Sequence, residues 1–294
     1  MQQVLIVNPS ASRVTPELTL HVERVLGAFG PLATELTERP GHAVELATEA
    51  SSSADRIYVY SGDGVYNEVV NALEDEIEVG FLPGGGTSVL PRALGLPRDP
   101  VECAQALVRG GTRRISLGRV NGRRFTFSAG LGLDAEVVRR TDALGRTDGR
   151  RASDVAFART LAGILTERRG RFGPAMTVLG RERVAFALVA NCDPYTYAGR
   201  VPLRIAPEAR FDLGLDVVAP RRLQPWLLPL AARWALTGRG QTSSPHVLYL
   251  HDEDEVRIEC DVPTPLQVDG EDLGDVDGAH FECERNALTV LVRG

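Results

Sequence analysis

The first 110 residues alternate between short apolar runs and helical patterns. The apolar runs are rich in β-branched and aromatic residues, as buried strands are, and they lie at 4–7, 32–37, 57–60 and 79–82. Helical patterns follow them at 16–26, 42–50, 65–73 and 89–94, and another begins at Pro100. This alternation predicts a parallel sheet covered by helices, a fold class that binds its ligands at the carboxyl ends of the strands.

The pattern changes after residue 112. Two strand-like runs flank Asn121-Gly122, which is the strongest short signal for a β-hairpin, and further strand-like runs continue to the C-terminus. Helical patterns near 135–167 and 223–236 interrupt them. We therefore predict two domains: an α/β domain at 1–112 that binds a nucleotide, and a mainly antiparallel, β-rich domain with helical insertions at 113–294.

A glycine turn lies between the third strand and the helix after it. It reads Ser61-Gly62-Asp63-Gly64, and its glycines let the backbone N–H groups approach an anion at a helix N-terminus. Asp63 is unusual there, because a carboxylate next to a phosphate is repelled unless a metal or a proton lies between them. A magnesium-bound nucleotide explains the pattern, and so does a tight turn in which Asp63 caps the helix.

A second glycine turn follows the fourth strand, at Gly84-Gly85-Gly86. Two such turns on adjacent strand ends can hold two parts of one polyphosphate, so the pair is more specific than either turn alone. Asn8 and Thr37 follow the first and second strands and are expected at the same edge of the sheet. Each of them is also an ordinary turn residue.

Asp269-Gly270-Glu271 follows an apolar strand in the second half of the chain. A tight turn that presents two carboxylates is suited to accept a proton from a substrate hydroxyl. Asp-Gly is also common turn chemistry, so the residues alone leave both interpretations open.

The charge of the chain limits its partners. The formal net charge is -6, which argues against a general nucleic-acid-binding protein. All 33 basic residues are arginine, so the chain contains no lysine for a P-loop or a Schiff base. Residues 109–183 hold 17 Arg against 7 acidic residues, and the following members of this segment form either a surface for anionic lipid or a solvated face: Arg119, Arg123, Arg124, Arg139, Arg140, Arg150 and Arg151.

Cysteine spacing and hydropathy indicate the compartment. The four cysteines lie far apart and show no metal-binding pattern, as expected of free buried thiols. The longest apolar stretch, 223–236, is interrupted by Gln224, Pro225, Pro229 and Arg233 and is too short to span a bilayer. We therefore expect a cytoplasmic protein whose membrane contact is peripheral, at the inner face.

Several of these motifs resemble those of one family. Residues 61–73 resemble the GGDGTxNEVVNGL signature of the diacylglycerol kinase and sphingosine kinase superfamily of lipid kinases, with Ser61 for the first Gly and Val65 for Thr. Residues 83–97 resemble its PxGTxNDFARxLGxP stretch, with Gly86, Ser88 and Val89 in place of Thr, Asn and Asp.

Weaker similarities support the same family. Residues 8–10 resemble its NPxSG opening, and residues 37–43 resemble its TxxxGHA stretch. Residues 265–271 resemble its C-terminal motif, in which the Asp is the proton acceptor. Residues 211–217 resemble a region that holds a structural magnesium ion in some members, although Leu213 stands in place of the metal-binding Asp.

The resemblance implies a fold like that of diacylglycerol kinases and NAD kinases. It implies an ATP-dependent lipid kinase that uses Mg and whose acceptor is a lipid such as diacylglycerol or a sphingoid base, bound by the second domain. Asp269 would be the general base, Glu271 its charged neighbour, and Asp63 a contact to the metal. The nucleotide-binding residues would be Asn8, Thr37, Ser61, Gly62, Asp63, Gly64, Asn67, Gly84, Gly85, Gly86 and Thr87.

Two other functions remain open. A kinase with a soluble acceptor, such as an NAD kinase, shares part of the pattern. A nucleotide-binding or lipid-binding member without catalytic activity is also compatible with the departures at Val65, Gly86, Ser88 and Leu213. No sequence feature predicts the oligomeric state.

Overall fold

The computed structural model describes residues 2–73, 77–144 and 154–294, which form two compact units. The first unit comprises residues 1–116 and 286–294, and the second comprises residues 117–285. We predicted domains at 1–112 and 113–294, and the two units differ from this division mainly at the C-terminal end of the chain. Residues 286–294, which we assigned to the second domain, belong to the first unit because their apolar strand adds to its parallel sheet.

The first unit alternates strands and helices as the pattern predicts. In chain order they are β1 (Gln3–Val7), α1 (Pro16–Gly27), β2 (Leu32–Leu36), α2 (His42–Ser51), β3 (Arg56–Ser61), α3 (Asp63–Ala72), β4 (Glu78–Pro83), α4 (Val89–Ala93) and α5 (Pro100–Arg109). The sheet has the order β2-β1-β3-β4, and Thr289 and Val290 pair beside β4. All of these pairings are parallel.

Local chemistry starts the helices of this unit. Thr15 caps α1 by accepting a hydrogen bond from Leu18 N at 3.2 Å, and Asp99 caps α5 by accepting from Val101 N and Glu102 N. Proline follows each cap, where its missing N–H costs no helical hydrogen bond. Helices α1 and α5 then pack on one face of the sheet around a core that includes Leu5, Tyr58, Leu82, Leu107 and Leu291.

The second unit contains the remaining elements. They are β5 (Gly111–Val120), which begins in the first unit, β6 (Arg123–Phe125), β7 (Ser128–Leu131), α6 (Leu133–Ala143), α7 (Asp154–Glu167), β8 (Met176–Val178), β9 (Glu182–Val184), β10 (Ala187–Ala190), β11 (Thr196–Ala198), β12 (Val201–Leu203), β13 (Leu215–Pro220), α8 (Leu228–Thr237), β14 (Val247–Glu253), β15 (Glu255–Val268) and β16 (Glu271–Val292). A 3₁₀ turn at Pro225–Leu227 leads into α8.

Antiparallel pairing dominates this unit, as predicted. Its main sheet has the order β14-β13-β10-β7-β15-β16, and every neighbouring pair in that order is antiparallel. Asn121 and Gly122 connect β5 and β6 with positive φ angles of 48° and 89°, which is the two-residue hairpin turn that this dipeptide favours. The predicted α/β unit followed by an antiparallel β unit is therefore confirmed.

One detail differs from the sequence pattern, which predicts separate strands at 256–260 and 266–268. The runs at 256–260 and 266–268 belong to one strand, β15, whose register shifts between Glu259 and Thr264. Residues 145–153, inside the predicted helical insertion and including Arg150 and Arg151, lie outside the described residues. Among the helices formed by 2–73, 77–144 and 154–294, none is both long enough and apolar enough to cross a bilayer.

Candidate functional site

The strand order of the first unit opens a crevice at one edge of its sheet. From β1 the chain continues to β2 on one side, and from β3 it continues to β4 on the other side. The loops that follow β1 and β3 therefore leave in opposite directions, which is where open α/β sheets bind ligands. Asn8 follows β1, Ser61 is the last residue of β3, and Gly62 follows it.

The predicted residues Asn8 and Thr37 both lie at this edge. The N–H of Asn8 donates to Tyr60 O at 3.1 Å, and the Asn8 side-chain oxygen accepts from Ser10 N at 2.9 Å. Thr37 N donates to Val7 O at 2.9 Å, so Thr37 lies beside the end of β1, on the side of β2. Asn8 is thus engaged in turning the chain, as the simpler interpretation of the sequence expects.

The two glycine turns are in backbone contact. Gly84 N donates to Ser61 O at 2.6 Å, which joins the turn after β4 to the end of β3. A Cβ atom at Gly85 would lie 2.8 Å from Gly62 Cα, closer than real side chains approach. Glycine is therefore required here by the approach of the two turns, and the structure brings Ser61–Gly64 and Gly84–Thr87 together.

Asp63 links the two turns through its side chain. It is the first residue of α3, and Gly62 occupies the N-cap position that a simple turn would give to Asp63. Its Oδ1 accepts a hydrogen bond from Leu90 N at 3.2 Å, so the carboxylate caps the neighbouring helix α4. The carboxylate of Asp63 therefore lies across the second glycine turn.

Tyr66 holds the ends of β3 and β4 from below. Its hydroxyl donates to Ser61 O at 2.6 Å and approaches Leu82 O at 2.7 Å, and its side chain is fully buried. Burial is the main cause that raises the pKa of Tyr66 well above its ordinary value, so the hydroxyl stays a donor. Sequence reasoning missed this residue, although its helical spacing placed it on the buried face.

Two other predicted residues of this unit are buried. Asn67 is 1% exposed, and its side-chain oxygen lies 3.2 Å from Asn71 Nδ2 one helical turn away, so it is not presented at the turns. Ser61 is also fully buried, and in the described part of the chain its hydroxyl has no hydrogen-bond partner. An unpaired buried hydroxyl beside two glycine turns fits a phosphate ligand, because buried polar groups are normally satisfied.

Asp269 occupies the turn between β15 and β16 in the second unit. Asp269 and Gly270 have φ angles of 48° and 79°, as a two-residue hairpin turn requires. Oδ2 of Asp269 accepts from Thr126 N at 2.7 Å and Thr126 Oγ1 at 2.9 Å. Oδ1 accepts from Phe127 N at 3.0 Å and Ser128 N at 3.1 Å.

These contacts use the accepting capacity of the Asp269 carboxylate. An ionised carboxylate offers about four lone-pair sites, and Asp269 is only 2% exposed. Three of its donors are backbone N–H groups, whereas the fourth is a hydroxyl that can rotate. A further proton donor to this carboxylate therefore competes with these contacts.

Glu271 has a different environment. Its Oε2 lies 2.6 Å from Arg123 Nη2, and its side chain is 43% exposed. Asp269 and Glu271 are thus on the same turn but not in the same surroundings: the first is held inside the unit and the second is at its surface.

A buried network that sequence reasoning missed supports this turn. Oδ2 of Asp134 accepts from Tyr195 OH and from Gln267 Nε2, both at 2.7 Å, and Gln267 Oε1 accepts from Gly270 N at 2.8 Å. Burial raises the pKa of Asp134, and the hydrogen bonds from Tyr195 and Gln267 partly offset it. The only sequence signal was the position of Gln267 two residues before Asp269.

The residues around Asp216 do not fit a structural metal. Asp216 is fully buried; its Oδ2 accepts from Tyr249 OH at 2.6 Å, while Oδ1 lies 2.7 Å from His251 Nδ1 and accepts from Asp252 N at 3.2 Å. Burial and the hydrogen bond to Asp216 raise the pKa of Tyr249, which keeps its hydroxyl protonated. Within the described ranges, no group of three or more His, Cys, Asp and Glu is placed to hold a metal ion.

Comparison with known proteins finds relatives of the first part of the chain. Residues 2–120 match the model of the diacylglycerol kinase catalytic domain. A diacylglycerol kinase of Bacillus subtilis is 35% identical over 143 residues, which is 46% of this chain and 46% of that protein. A diacylglycerol kinase of Staphylococcus carnosus is 27% identical over 152 residues, 49% of each chain. The match spans about half the length of these curated relatives.

Solved structures share the fold over nearly the whole chain. A crystal structure of a diacylglycerol kinase from Bacillus anthracis superposes with a TM-score of 0.75 at 19% identity, covering 99% of this chain and 97% of that one. An NAD kinase from Archaeoglobus fulgidus, solved in complex with ATP, has a TM-score of 0.50 at 12% identity, with coverage of 99% and 94%. Residues 2–120 therefore resemble the diacylglycerol kinase catalytic domain, and nearly the whole chain shares the fold of these solved structures.

Proposed function

We propose that this protein is an ATP-dependent lipid kinase that transfers the γ-phosphate of ATP to the hydroxyl of a lipid such as diacylglycerol or a sphingoid base. The observation that carries the proposal is the contact between the two glycine turns, at Gly62 and Gly85, beside the point where the strand order reverses. Both turns lie inside the segment that matches the diacylglycerol kinase catalytic domain.

The turns supply what a polyphosphate needs. Helix α3 begins at Asp63, and the N–H of Val65 already donates to Gly62 O at 3.1 Å. The N–H groups of Asp63 and Gly64, which precede it at the helix N-terminus, would donate to an anion. The buried Ser61 hydroxyl is a further donor beside them. With glycine at 62 and 85, no side chain separates a phosphate from the backbone, and the positive end of the helix dipole favours its negative charge.

Asp63 would interact with the magnesium ion that arrives with ATP, directly or through water. In phosphoryl transfer this ion neutralises the charge that develops on the phosphate oxygens. Because Oδ1 of Asp63 accepts from Leu90 N, the carboxylate is held at the edge of the second glycine turn. The contribution of the chain is to hold this negative charge next to a site that is otherwise suited to anions.

Asp269 would accept the proton of the lipid hydroxyl. Rotation of the Thr126 hydroxyl away from Oδ2 releases one lone pair of the carboxylate without moving the backbone. The three backbone N–H groups keep the carboxylate oriented while the proton is accepted. Glu271, on the same turn, would be its charged neighbour, and it pairs with Arg123.

Relatives support this substrate class. The matched proteins of Bacillus subtilis and Staphylococcus carnosus are named diacylglycerol kinases. The NAD kinase from Archaeoglobus fulgidus, which shares the fold, was solved with ATP. The names of the relatives support a lipid alcohol as acceptor, and the NAD kinase structure supports ATP as phosphate donor.

The assay is transfer of labelled phosphate from ATP to a panel of acceptors. The purified full chain is incubated with Mg²⁺, ATP and dispersions of diacylglycerol, a sphingoid base or a mixed lipid extract, with NAD in a separate reaction. We expect a labelled lipid and no labelled NAD. Phosphorylation of NAD alone would instead favour the soluble-substrate kinase, and absence of transfer to every acceptor would favour a binding protein without catalytic activity.

A matched pair of variants tests the role of Asp63. Asp63→Asn keeps an oxygen that can accept from Leu90 N but removes the charge, and Asp99→Asn makes the same change at the cap of α5. We expect Asp63→Asn to lower kcat at least about 100-fold, a loss typical of removing one group that stabilises charge in an active site. Asp99→Asn should retain activity; equal activity of both variants would exclude a metal contact at Asp63.

A further inference from the structure

We propose that the second unit docks on an anionic phospholipid bilayer through the outer face of the segment 225–236. This face, which we call the 225–236 face, consists of Pro225, Trp226, Pro229, Ala232, Arg233 and Leu236. The inference deepens the proposed function by naming the surface that would meet the lipid substrate, and it rests on that function only for its biological purpose.

Large apolar side chains are exposed along one side of this segment. Trp226 is 64% exposed and Leu236 is 56% exposed. The exposed positions recur at helical spacing, so they share one face of the 3₁₀ turn and α8. A helix with an exposed apolar stripe and arginine beside it is typical of segments that lie in the membrane interface.

The opposite face of the segment is already packed. Leu227 is 4% exposed and joins a cluster with Ile164, Phe172 and Phe186, against which Leu228 and Leu230 also pack. Trp234 packs against a different cluster that contains Tyr195 and Val218. The segment buries one side within its own unit, whereas Trp226 and Leu236 on the other side stay mostly exposed, with Trp226 beside the ring of His246.

The charge around this face is positive. Residues 217–251 contain four Arg and no Asp or Glu. Arg221 pairs with Glu182, whereas Arg222, Arg233 and Arg239 are exposed and form no ion pair with any described residue. Such arginines are available to phospholipid headgroups, and each adds to the attraction of a negatively charged membrane surface.

A neighbouring segment extends the positive surface. Gly170 lies against the start of the docking segment, because a Cβ at Gly170 would be 3.4 Å from Pro225 Cα. Arg168, Arg169 and Arg171 around it are exposed and likewise have no ion-pair partner among the described residues. Arg168 lies over the Phe172 ring at 5.2 Å from its centroid, which leaves its charge at the surface.

Several other arginines of the unit are neutralised by carboxylates. Arg119 and Arg124 pair with Glu284, Arg123 pairs with Glu271, and Arg139 pairs with Asp272 and Asp275. These residues belong to the surface that the sequence suggested for anionic lipid. Their carboxylate partners compete with headgroups, so the unpaired arginines near the 225–236 face are the better lipid contacts.

A second copy of the chain fits this face less well than a bilayer does. A twofold interface brings the same patch of both subunits together. Arg222, Arg233 and Arg239 would then meet the arginines of the partner copy, and residues 217–251 supply no carboxylate to compensate them. An anionic membrane satisfies both the apolar side chains and the charge.

The experiment is co-sedimentation of the full chain with vesicles, without ATP. Vesicles of phosphatidylcholine alone are compared with vesicles that also contain phosphatidylserine. We expect binding to the anionic vesicles that weakens with added salt. Trp226→Ala and the pair Arg233→Gln with Arg239→Gln should each lower the partition coefficient roughly tenfold or more, as expected from losing interfacial apolar area or two basic contacts.

Matched controls come from the same unit. Val262→Ser changes an apolar residue that is 62% exposed, and Arg257→Gln removes an exposed arginine that pairs with Glu255. Both should bind vesicles as the unmodified protein does. Undiminished binding of the Trp226 and arginine variants would overturn the proposal, as would failure of the unmodified protein to bind anionic vesicles.

Light scattering in the absence of vesicles measures the oligomeric state and so tests whether a second copy of the chain covers the 225–236 face. A dimer that Trp226→Ala dissociates would show that a second copy covers this face. Vesicle binding needs no catalysis, so its outcome is separate from that of the kinase assay. A protein that phosphorylates a dispersed lipid but ignores vesicles would retain the proposed function and lose this docking surface.

Discussion

Asp269 shows how one residue combines a turn, a buried charge and a chemical role. Its left-handed backbone belongs to the hairpin turn, and its carboxylate accepts from Thr126, Phe127 and Ser128. A carboxylate with this many donors stabilises the loop at 126–128 whether or not it takes a proton. The structural role and the proposed role as a base therefore have to be separated by experiment.

Asp269→Asn should destabilise the second unit strongly. An amide replaces one accepting oxygen with an NH₂ group, which would face two N–H or O–H donors, and leaving buried donors unsatisfied costs about 3 kcal/mol. Asn tolerates the positive φ of 48°, so backbone strain does not add to the loss. Urea unfolding measures the change in the free energy of unfolding.

Glu271→Gln is the control at the same turn. Glu271 and its partner Arg123 are both partly exposed. Their ion pair therefore contributes at most about 1 kcal/mol to the free energy of unfolding. A stability loss confined to Asp269→Asn is the expected result. Equal stability of Asp269→Asn and the unmodified protein would show that the four donors do not hold the carboxylate.

Asp134 should make stability depend on pH in an unusual direction. Burial raises the pKa of Asp134 in the folded protein. Between about pH 4, where the unfolded carboxyl group titrates, and the raised pKa of the folded state, the folded protein binds more protons than the unfolded chain. This group therefore lowers stability as the pH rises through that window. Asp134→Asn lacks the effect, while its oxygen can still accept from Tyr195 and Gln267.

Urea unfolding at several pH values gives the comparison. The stability of Asp134→Asn relative to the unmodified protein should increase as the pH rises above 4 and then level off. Subtracting the two curves removes the contribution of the other carboxylates. Parallel curves across the window would indicate that Asp134 titrates normally.

At the scale of elements, α3 acts as a brace under the two strands that carry the glycine turns. Tyr66 lies in the first turn of α3, and its hydroxyl contacts Ser61 O and Leu82 O at the ends of β3 and β4. The helix therefore fixes the spacing of the strand ends from beneath, while Asp63 at its start reaches across to α4. The two glycine turns are therefore aligned by the contacts that α3 makes with the strand ends and with α4.

Tyr66→Phe should loosen the turns without emptying the core. Loss of the hydroxyl should cost about 1 kcal/mol of stability and weaken ATP binding, because the turns are less well positioned. Tyr58→Phe is the control, because Tyr58 is fully buried in the same sheet. Its hydroxyl accepts a hydrogen bond from Arg56, and Arg56 keeps its contact with Glu78 when that hydroxyl is removed. Calorimetric titration with ATP and thermal unfolding measure both effects; ATP affinity that is equal in the two variants would contradict the brace.

At the scale of the molecule, the chain returns to its first unit at the end. Leu291 is 1% exposed and packs in the same core as Tyr58, Tyr60 and Leu107, although more than 180 residues separate it from them. The first unit is therefore completed only when residues 286–294 have joined its sheet.

Leu291→Ala should weaken the first unit selectively. Removing a buried leucine side chain costs about 2–5 kcal/mol, depending on how far the cavity collapses. Amide hydrogen exchange should accelerate in β3 and remain unchanged in β14. Leu266→Ala, at a 2% exposed position in the core of the second unit, should give the reverse pattern; identical exchange profiles for the two variants would mean that the units unfold together.

The sequence predicted the elements of both units well because their signals are local. Alternating apolar runs and helical spacing located the strands and helices of the first unit, and Asn121-Gly122 located a hairpin. The motifs at 61–73 and 83–97 pointed to the family that residues 2–120 match. Signals of this kind depend on neighbours a few residues apart, so they can be read along the chain.

Contacts between distant residues were not readable in the same way. Asp63 caps a helix that begins 26 residues later, Asp269 is held by residues 126–128, and Asn67 is buried although the motif presents it as a site residue. The amino-acid sequence by itself determined the fold class, the family resemblance of residues 2–120 and the two glycine turns, because backbone conformation and hydrophobic periodicity are encoded locally. Only the tertiary structure decided which carboxylates are saturated, which arginines remain unpaired and where the last strand goes, because burial and hydrogen bonding depend on partners that the folded chain brings together.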